Sequence, residues 1–150
     1  MRSSTLQWLE ANGYTPDNLE LQGNYGNTAL MKAAREGDAA IVAELLEAGA
    51  DVGRTNVDGN TALWLACFGD NPEVVERLIA AGIPVDTVNV NGVTELMYAA
   101  SSGKERMVEL LLRAGADPML KNPDDFTAVE LAVTPKILRM LRHAKKEGVR

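Results

Sequence analysis

Cysteine and histidine are almost missing from this chain. Its 150 residues hold one of each, Cys67 and His143, so no intrachain disulfide can form and no Cys/His cluster can hold a structural zinc. Aromatic residues make up only 5%, which leaves the core to aliphatic side chains and alanine. No stretch approaches the ~20 apolar residues of a membrane span. Met1-Arg2-Ser3-Ser4 leads into an amphipathic segment, not an apolar run, so no signal peptide is expected. A cytoplasmic, reducing location is the default. Also missing are a glycine-rich phosphate loop, a His-Glu-x-x-His pair and paired cysteines. A catalytic triad would have to use His143, on a charged final helix. Asp58 and the Asp124-Asp125 pair stand in turns, where carboxylates usually bond the backbone, with no further ligand at calcium spacing. Cys67, between Ala66 and Phe68, is expected as small core packing, since a reactive thiol needs a cationic, exposed setting. The expectation is no enzyme, no cofactor and no metal.

Charge is unevenly spread. The net charge is −6, but from Lys136 onward Lys136, Arg139, Arg142, Lys145, Lys146 and Arg150 stand against Glu147 alone, +5 for the tail and −11 for residues 1–135. An acidic body argues against nucleic acid, because neutralising phosphates takes clustered Lys and Arg. The basic tail reads as a solvated last helix whose cations suit its C-terminus, or as a contact for an acidic partner.

What the chain has is periodicity. Gly26-Asn27-Thr28-Ala29-Leu30, Gly59-Asn60-Thr61-Ala62-Leu63 and Gly92-Val93-Thr94-Glu95-Leu96 share one frame, and Asp125-Phe126-Thr127-Ala128-Val129 is a worn fourth copy. The threonines fall at 28, 61, 94 and 127, a constant step of 33, and a period in that range marks a repeat architecture. Each unit has a turn with glycine at a left-handed position, Thr as N-cap and a first helix of about two turns. Its buried face recurs at i, i+3 and i+4, as in Leu63, Ala66 and Cys67. Small pairs (Ala33-Ala34, Ala66-Cys67, Ala99-Ala100) let a second helix approach. The second helices are Ile41 to Leu46, Val74 to Ile79 and Met107 to Leu112, each closed by a glycine (Gly49, Gly82, Gly115) suited to a left-handed C-cap. Asn71-Pro72 reads as N-cap and first helical position. Residues 5–13 read as a short capping helix with Leu6 and Leu9 on one face. The last second helix runs from Ile137 to about Lys146, with the polar exterior that ends a stack.

The spacing Gly-x-Thr-x-Leu-x-x-Ala-x-x-x-Gly, followed by Ile/Val-Val-x-x-Leu-Leu-x-x-Gly-Ala-Asp, resembles the ankyrin repeat. It is seen through Gly26 to Asp51 and again through Gly92 to Asp117. The family's Thr-Pro-Leu-His signature is altered: Ala29, Ala62, Glu95 and Ala128 replace its proline, and Met31, Trp64, Met97 and Glu130 its histidine. Ile83-Pro84 stands where other copies have Ala-Asp, which predicts a reshaped hairpin entry. The resemblance implies an all-α repeat solenoid, an ankyrin stack of helix-turn-helix units joined by β-hairpin-like loops. The expected division is a cap over 1–23, repeats over 24–55, 56–88 and 89–121, and a degenerate capping repeat over 122–150, all in one domain. The resemblance also implies first helices lining a concave face that binds a protein through that face and the loop tips.

On that basis the tips Tyr25 and Asn27, then Val57, Asp58 and Asn60, then Val90, Asn91 and Val93, then Asp124 and Phe126 are candidate contacts. The valines are apolar where turns are usually polar; a supporting role as short β segments is the alternative. With Leu63 in the core, Leu65 lies about 200° round the helix, so Leu65 and its equivalents Lys32 and Tyr98 are expected to point most directly into the groove. Trp64 and Phe68 lie on a flank, and Arg35 and Ser101 share the register of Phe68. Trp64 is open between packing against a neighbouring repeat and anchoring a partner. The expected partner is a protein with a basic patch, with no nucleic acid and no membrane, and the chain is expected to be a monomer. A dedicated inhibitor, regulator or assembly factor of one enzyme is the second reading. An enzyme in its own right is a remote third, and a designed binder would have more nearly identical repeats.

Overall fold

A computed structural model describes residues 1–148, with side chains through Lys145; the tail residues Lys146, Glu147 and Arg150 lie outside the described side chains. Among the described residues there are nine α-helices and no strand, so the all-α repeat expectation holds. They are α1 (Ser3–Ala11), α2 (Ala29–Glu36), α3 (Ala39–Glu47), α4 (Ala62–Phe68), α5 (Pro72–Ala80), α6 (Glu95–Ser101), α7 (Glu105–Arg113), α8 (Ala128–Leu131) and α9 (Pro135–Gly148). The chain divides into two compact units, Met1–Pro84 and Val85–Arg150.

In the first unit α2 packs on α3 and α4, α4 on α5, and α3 on α5. Ala33, Ala34, Ala66 and Cys67 are fully buried between them, with Val42, Leu45, Leu63 and Leu78. In the second unit α6 packs on α7 and α8, and α9 on α7 and α8. Thr28, Thr61 and Thr94 cap α2, α4 and α6, accepting from the N–H groups of Met31 (3.4 Å), Leu63 (3.3 Å) and Met97 (3.2 Å). Thr127 holds the N-cap position of α8 but makes no side-chain cap bond. Its hydroxyl donates to Glu130 Oε1 (3.2 Å), and α8 is a single turn of 4 residues.

Two local expectations are corrected, for the capping helix and the last helix, while Asn71-Pro72 takes the expected N-cap and first helical positions. The capping helix buries Thr5 and Leu9, while Leu6 is 40% exposed. The reason is Glu44 of α3, which accepts from Thr5 Oγ1 (2.6 Å), from the Arg2 N–H and from Arg2 Nε (2.6 Å). A carboxylate from another helix thus caps α1 and satisfies the buried threonine. These bonds, the Thr5 hydroxyl first and the Arg2 N–H next, hold the Glu44 carboxyl down at about 2. Asn71 occupies the N-cap of α5 with Pro72 at N1, but its side chain makes no cap bond there. Its Nδ2 instead donates to the carbonyls of Ala34 (3.2 Å) and Arg35 (3.3 Å) at the end of α2. The last helix is longer than expected, starting at Pro135 and reaching Gly148.

The middle copy also departs where Pro84 replaces aspartate. The Asp51 N–H donates to Glu20 Oε2 (3.0 Å) and the Asp117 N–H to Asp86 Oδ1 (2.9 Å). Pro84 has no N–H to give, and its neighbour Ile83 is buried instead.

Candidate functional site

The loop tips are built by one residue per copy that the sequence reading passed over. Asn56, Asn89 and Asn122 each use Oδ1 to accept two backbone N–H groups, from Asp58 and Asn60, from Asn91 and Val93, and from Asp124 and Phe126, all at 2.9–3.1 Å. Each asparagine's own N–H closes the loop onto the carbonyl of Asn60 (3.0 Å), Val93 (3.1 Å) or Phe126 (2.8 Å). The signal was present, since these asparagines also step by 33. The first copy has Gly23 in that place and forms a 3-10 turn, Asn24–Gly26, with Tyr25 at φ +59. The tip residue is left-handed in all four copies, at φ +75, +76 and +74 for Gly26, Gly59 and Gly92, and +67 for Asp125. Aspartate is among the few side chains that enter this region at modest cost, so the worn copy keeps its turn. The Val57 N–H donates to the Tyr25 carbonyl (3.0 Å), which ties successive tips together without forming a strand.

Within residues 1–84 two clefts open on the side of α2 and α4. One, of about 570 Å³, lies between α1 and α2 and is lined by Tyr14, Tyr25, Asn27, Lys32, Arg35 and Glu36, with Ala11, Asn12 and Asn24. Here Trp8 stacks on Tyr14 at 6.3 Å and donates through Nε1 to Glu36 (3.0 Å). Tyr14 OH donates to the Asn27 carbonyl (2.8 Å), and burial, with the nearby Glu36 charge, raises its pKa and keeps the donor proton in place. The second cleft, of about 330 Å³, lies between α2 and α4 and is lined by Tyr25, Asn27, Arg35, Asn56, Asp58, Asn60, Trp64, Leu65 and Phe68. All but Asn56 were candidate contacts from the sequence. Tyr25, Asn27 and Arg35 belong to both clefts. Arg35 lies over the Phe68 ring at 5.0 Å, a cation–π contact, and Lys32 pairs with Glu36 (3.2 Å).

Two of these candidates are not open surface. Leu65, expected to point most directly outward, is only 7% exposed. Asn60, expected at an open tip, is also 7% exposed, and its Oδ1 has no hydrogen-bond partner. The outward position is one turn on, at Phe68, which is 49% exposed. Trp64 is half-buried at the cleft wall. The same pattern recurs in the other copies, where Met31 and Met97, at the register of Trp64, are buried while Arg35 and Ser101, at that of Phe68, are exposed.

Within residues 85–150 the tips carry Val90 (69% exposed) and Phe126 (47% exposed) beside the exposed Asn91 and Asp124. Val93 and Tyr98 are half-buried, and Lys104 Nζ lies 5.7 Å from the Tyr98 ring. Glu95 is buried in the first turn of α6, where a carboxylate suits the helix N-terminus. Among the described residues no group of three His, Cys, Asp or Glu side chains could hold a metal ion, and Cys67 is buried. No helix of the described residues is long and apolar enough to cross a membrane.

A family model for ankyrin repeats, in three copies, matches residues 30–122. The chain belongs to the ankyrin-repeat family. No curated protein matches it in a sequence search. Ankyrin repeats are in general protein–protein interaction modules, and the clefts and tips described above lie on the first-helix and loop positions of this ankyrin chain.

Proposed function

We propose that this ankyrin-repeat chain binds a protein partner through the α2 and α4 face of residues 1–84, with the tips and Tyr98 of residues 85–150 as further contacts. One observation carries the reading: two clefts meet at Tyr25 and Arg35, and Tyr25 and Phe68 are 71% and 49% exposed there. Exposed aromatic and arginine side chains grouped around a cleft are the usual composition of binding hot spots. Residues 1–84 hold 12 acidic against 5 basic side chains, a net charge of −7, which favours a partner with a basic patch over nucleic acid.

A photo-crosslinking residue placed at Tyr25 or at Phe68 in the native host should capture the partner, and one placed at the exposed Glu76 should not. With the purified partner, Tyr25→Ala and Phe68→Ala should each weaken binding about tenfold or more while leaving the melting temperature nearly unchanged. Equal capture at Glu76, or binding that ignores both variants, would overturn the reading. Assaying the captured partner with and without this chain separates an adaptor from an inhibitor or assembly factor of an enzyme. We place the chain in the cytoplasm, a reading supported by its single cysteine, which leaves no intrachain disulfide, and read it as a single-domain monomer because the last repeat ends the stack with a polar exterior. Sedimentation tests the monomer.

A further inference from the structure

The described part of the basic last helix, through Lys145, lies beside a groove that the first-helix face does not explain. In the second unit α7 and α9 flank a groove of about 680 Å³ with an apolar floor of Leu112, Ala116, Pro118, Met140 and Ala144. Lys136, Met140, His143 and Ala144 fall at i, i+4, i+7 and i+8 along α9, so they share one side of it. Arg139, four residues before His143, stands beside them. Lys136, Arg139, Arg142, His143 and Lys145 are all exposed. No ion pair among the described residues engages Lys136, Arg139, Arg142 or Lys145.

The opposite wall is different. Glu109 is paired to Arg106 (3.3 Å) and Arg113 (2.9 Å), and Asp117 accepts from the Met119 N–H (2.8 Å). Its acids are therefore already engaged within the chain. Residues 85–150 carry 10 basic against 9 acidic side chains, so this unit is nearly balanced overall and its positive charge is concentrated on α9.

We infer that the α7–α9 groove binds an acidic amphipathic segment of a partner protein. Its apolar side chains cover Leu112, Ala116 and Met140, and its carboxylates face Lys136, Arg139 and His143. Charge complementarity with α9 selects an acidic occupant, and a recessed apolar floor between two helices matches the apolar stripe of a helix laid in a groove. A membrane surface fits less well, because it needs apolar side chains that protrude. A nucleic acid fits less well, because the floor has no aromatic ring on which a base could stack. The chain would then join two partners of opposite charge.

The test uses the full-length protein, isotopically labelled, with three probes: a synthetic 12-residue helix with glutamates on one face and leucines on the other, the same peptide with lysine for glutamate, and vesicles containing phosphatidylserine. The acidic peptide should move the amide signals of Leu112, Ala116, Met140 and Ala144. Lys136→Glu with Arg139→Glu should weaken it about tenfold, and the neutral pair Lys136→Gln with Arg139→Gln should weaken it less. Tyr25→Ala should leave this binding unchanged. No movement of those signals, equal binding of the lysine peptide, indifference to both pairs of substitutions, or binding of the vesicles in place of the peptide would each overturn the inference.

Discussion

Leu65 and Phe68 are three residues apart on α4 and have opposite roles. Leu65 is nearly enclosed, so Leu65→Ala should cost about 2–4 kcal/mol of stability by chemical denaturation, through lost transfer energy and a cavity. Phe68 is half exposed, so Phe68→Ala should cost under about 1 kcal/mol and act on binding instead. A matching contrast exists at the loop tips. Gly59→Ala places a β-carbon at φ +76 and should destabilise by about 1–2 kcal/mol. Asp125→Gly, at φ +67, should be near neutral, because relief of the left-handed strain is offset by the greater freedom glycine has when unfolded. The left-handed glycines could be read from the sequence because only a few residues accept that backbone. The exposure of Leu65 could not, since it depends on what packs over α4 in three dimensions.

The capping helix α1 is held by a carboxylate from α3, and that contact titrates. The Glu44 carboxyl ordinarily titrates near 4.5 and is held at about 2 when folded, so the folded state binds this proton less readily. Its contribution is whole above about pH 4.5 and is lost as pH falls toward 2. Amide exchange of α1 should therefore speed up relative to α3 across that window. Glu44→Gln should give fast exchange in α1 at pH 6 and remove the pH step. Equal protection of α1 and α3 throughout would count against the contact. The loop elements have their own stitch: Asn122→Ala removes the acceptor for two N–H groups and should cost about 1–2 kcal/mol. That asparagine steps with the threonines and was legible in principle. The Glu44 contact, between residues 39 and 42 positions apart, has no periodic signature.

For the molecule as a whole, charge is the property that reaches furthest. Residues 1–84 are strongly acidic and residues 85–150 nearly balanced. Association of a basic partner with the α2 and α4 face should slow steeply as salt rises, since the steering field is screened beyond about 8–10 Å at physiological ionic strength. Stopped-flow rates that do not change with salt would remove steering from the mechanism.

The step of 33 by itself determined the fold, because each copy repeats the same capping, small-residue and left-handed positions, and these are local requirements of backbone and helix. The resemblance to the ankyrin repeat, together with helix geometry, named eight of the nine residues that line the α2–α4 cleft. Only the tertiary structure decided which of them face outward. It buried Leu65 and Asn60, turned Phe68 into the open and left Trp64 at the wall. It also brought Glu44 to the start of α1, and Met140 and His143 into the lining of the α7–α9 groove. Those outcomes depend on how one repeat packs on the next, and no single copy contains that information.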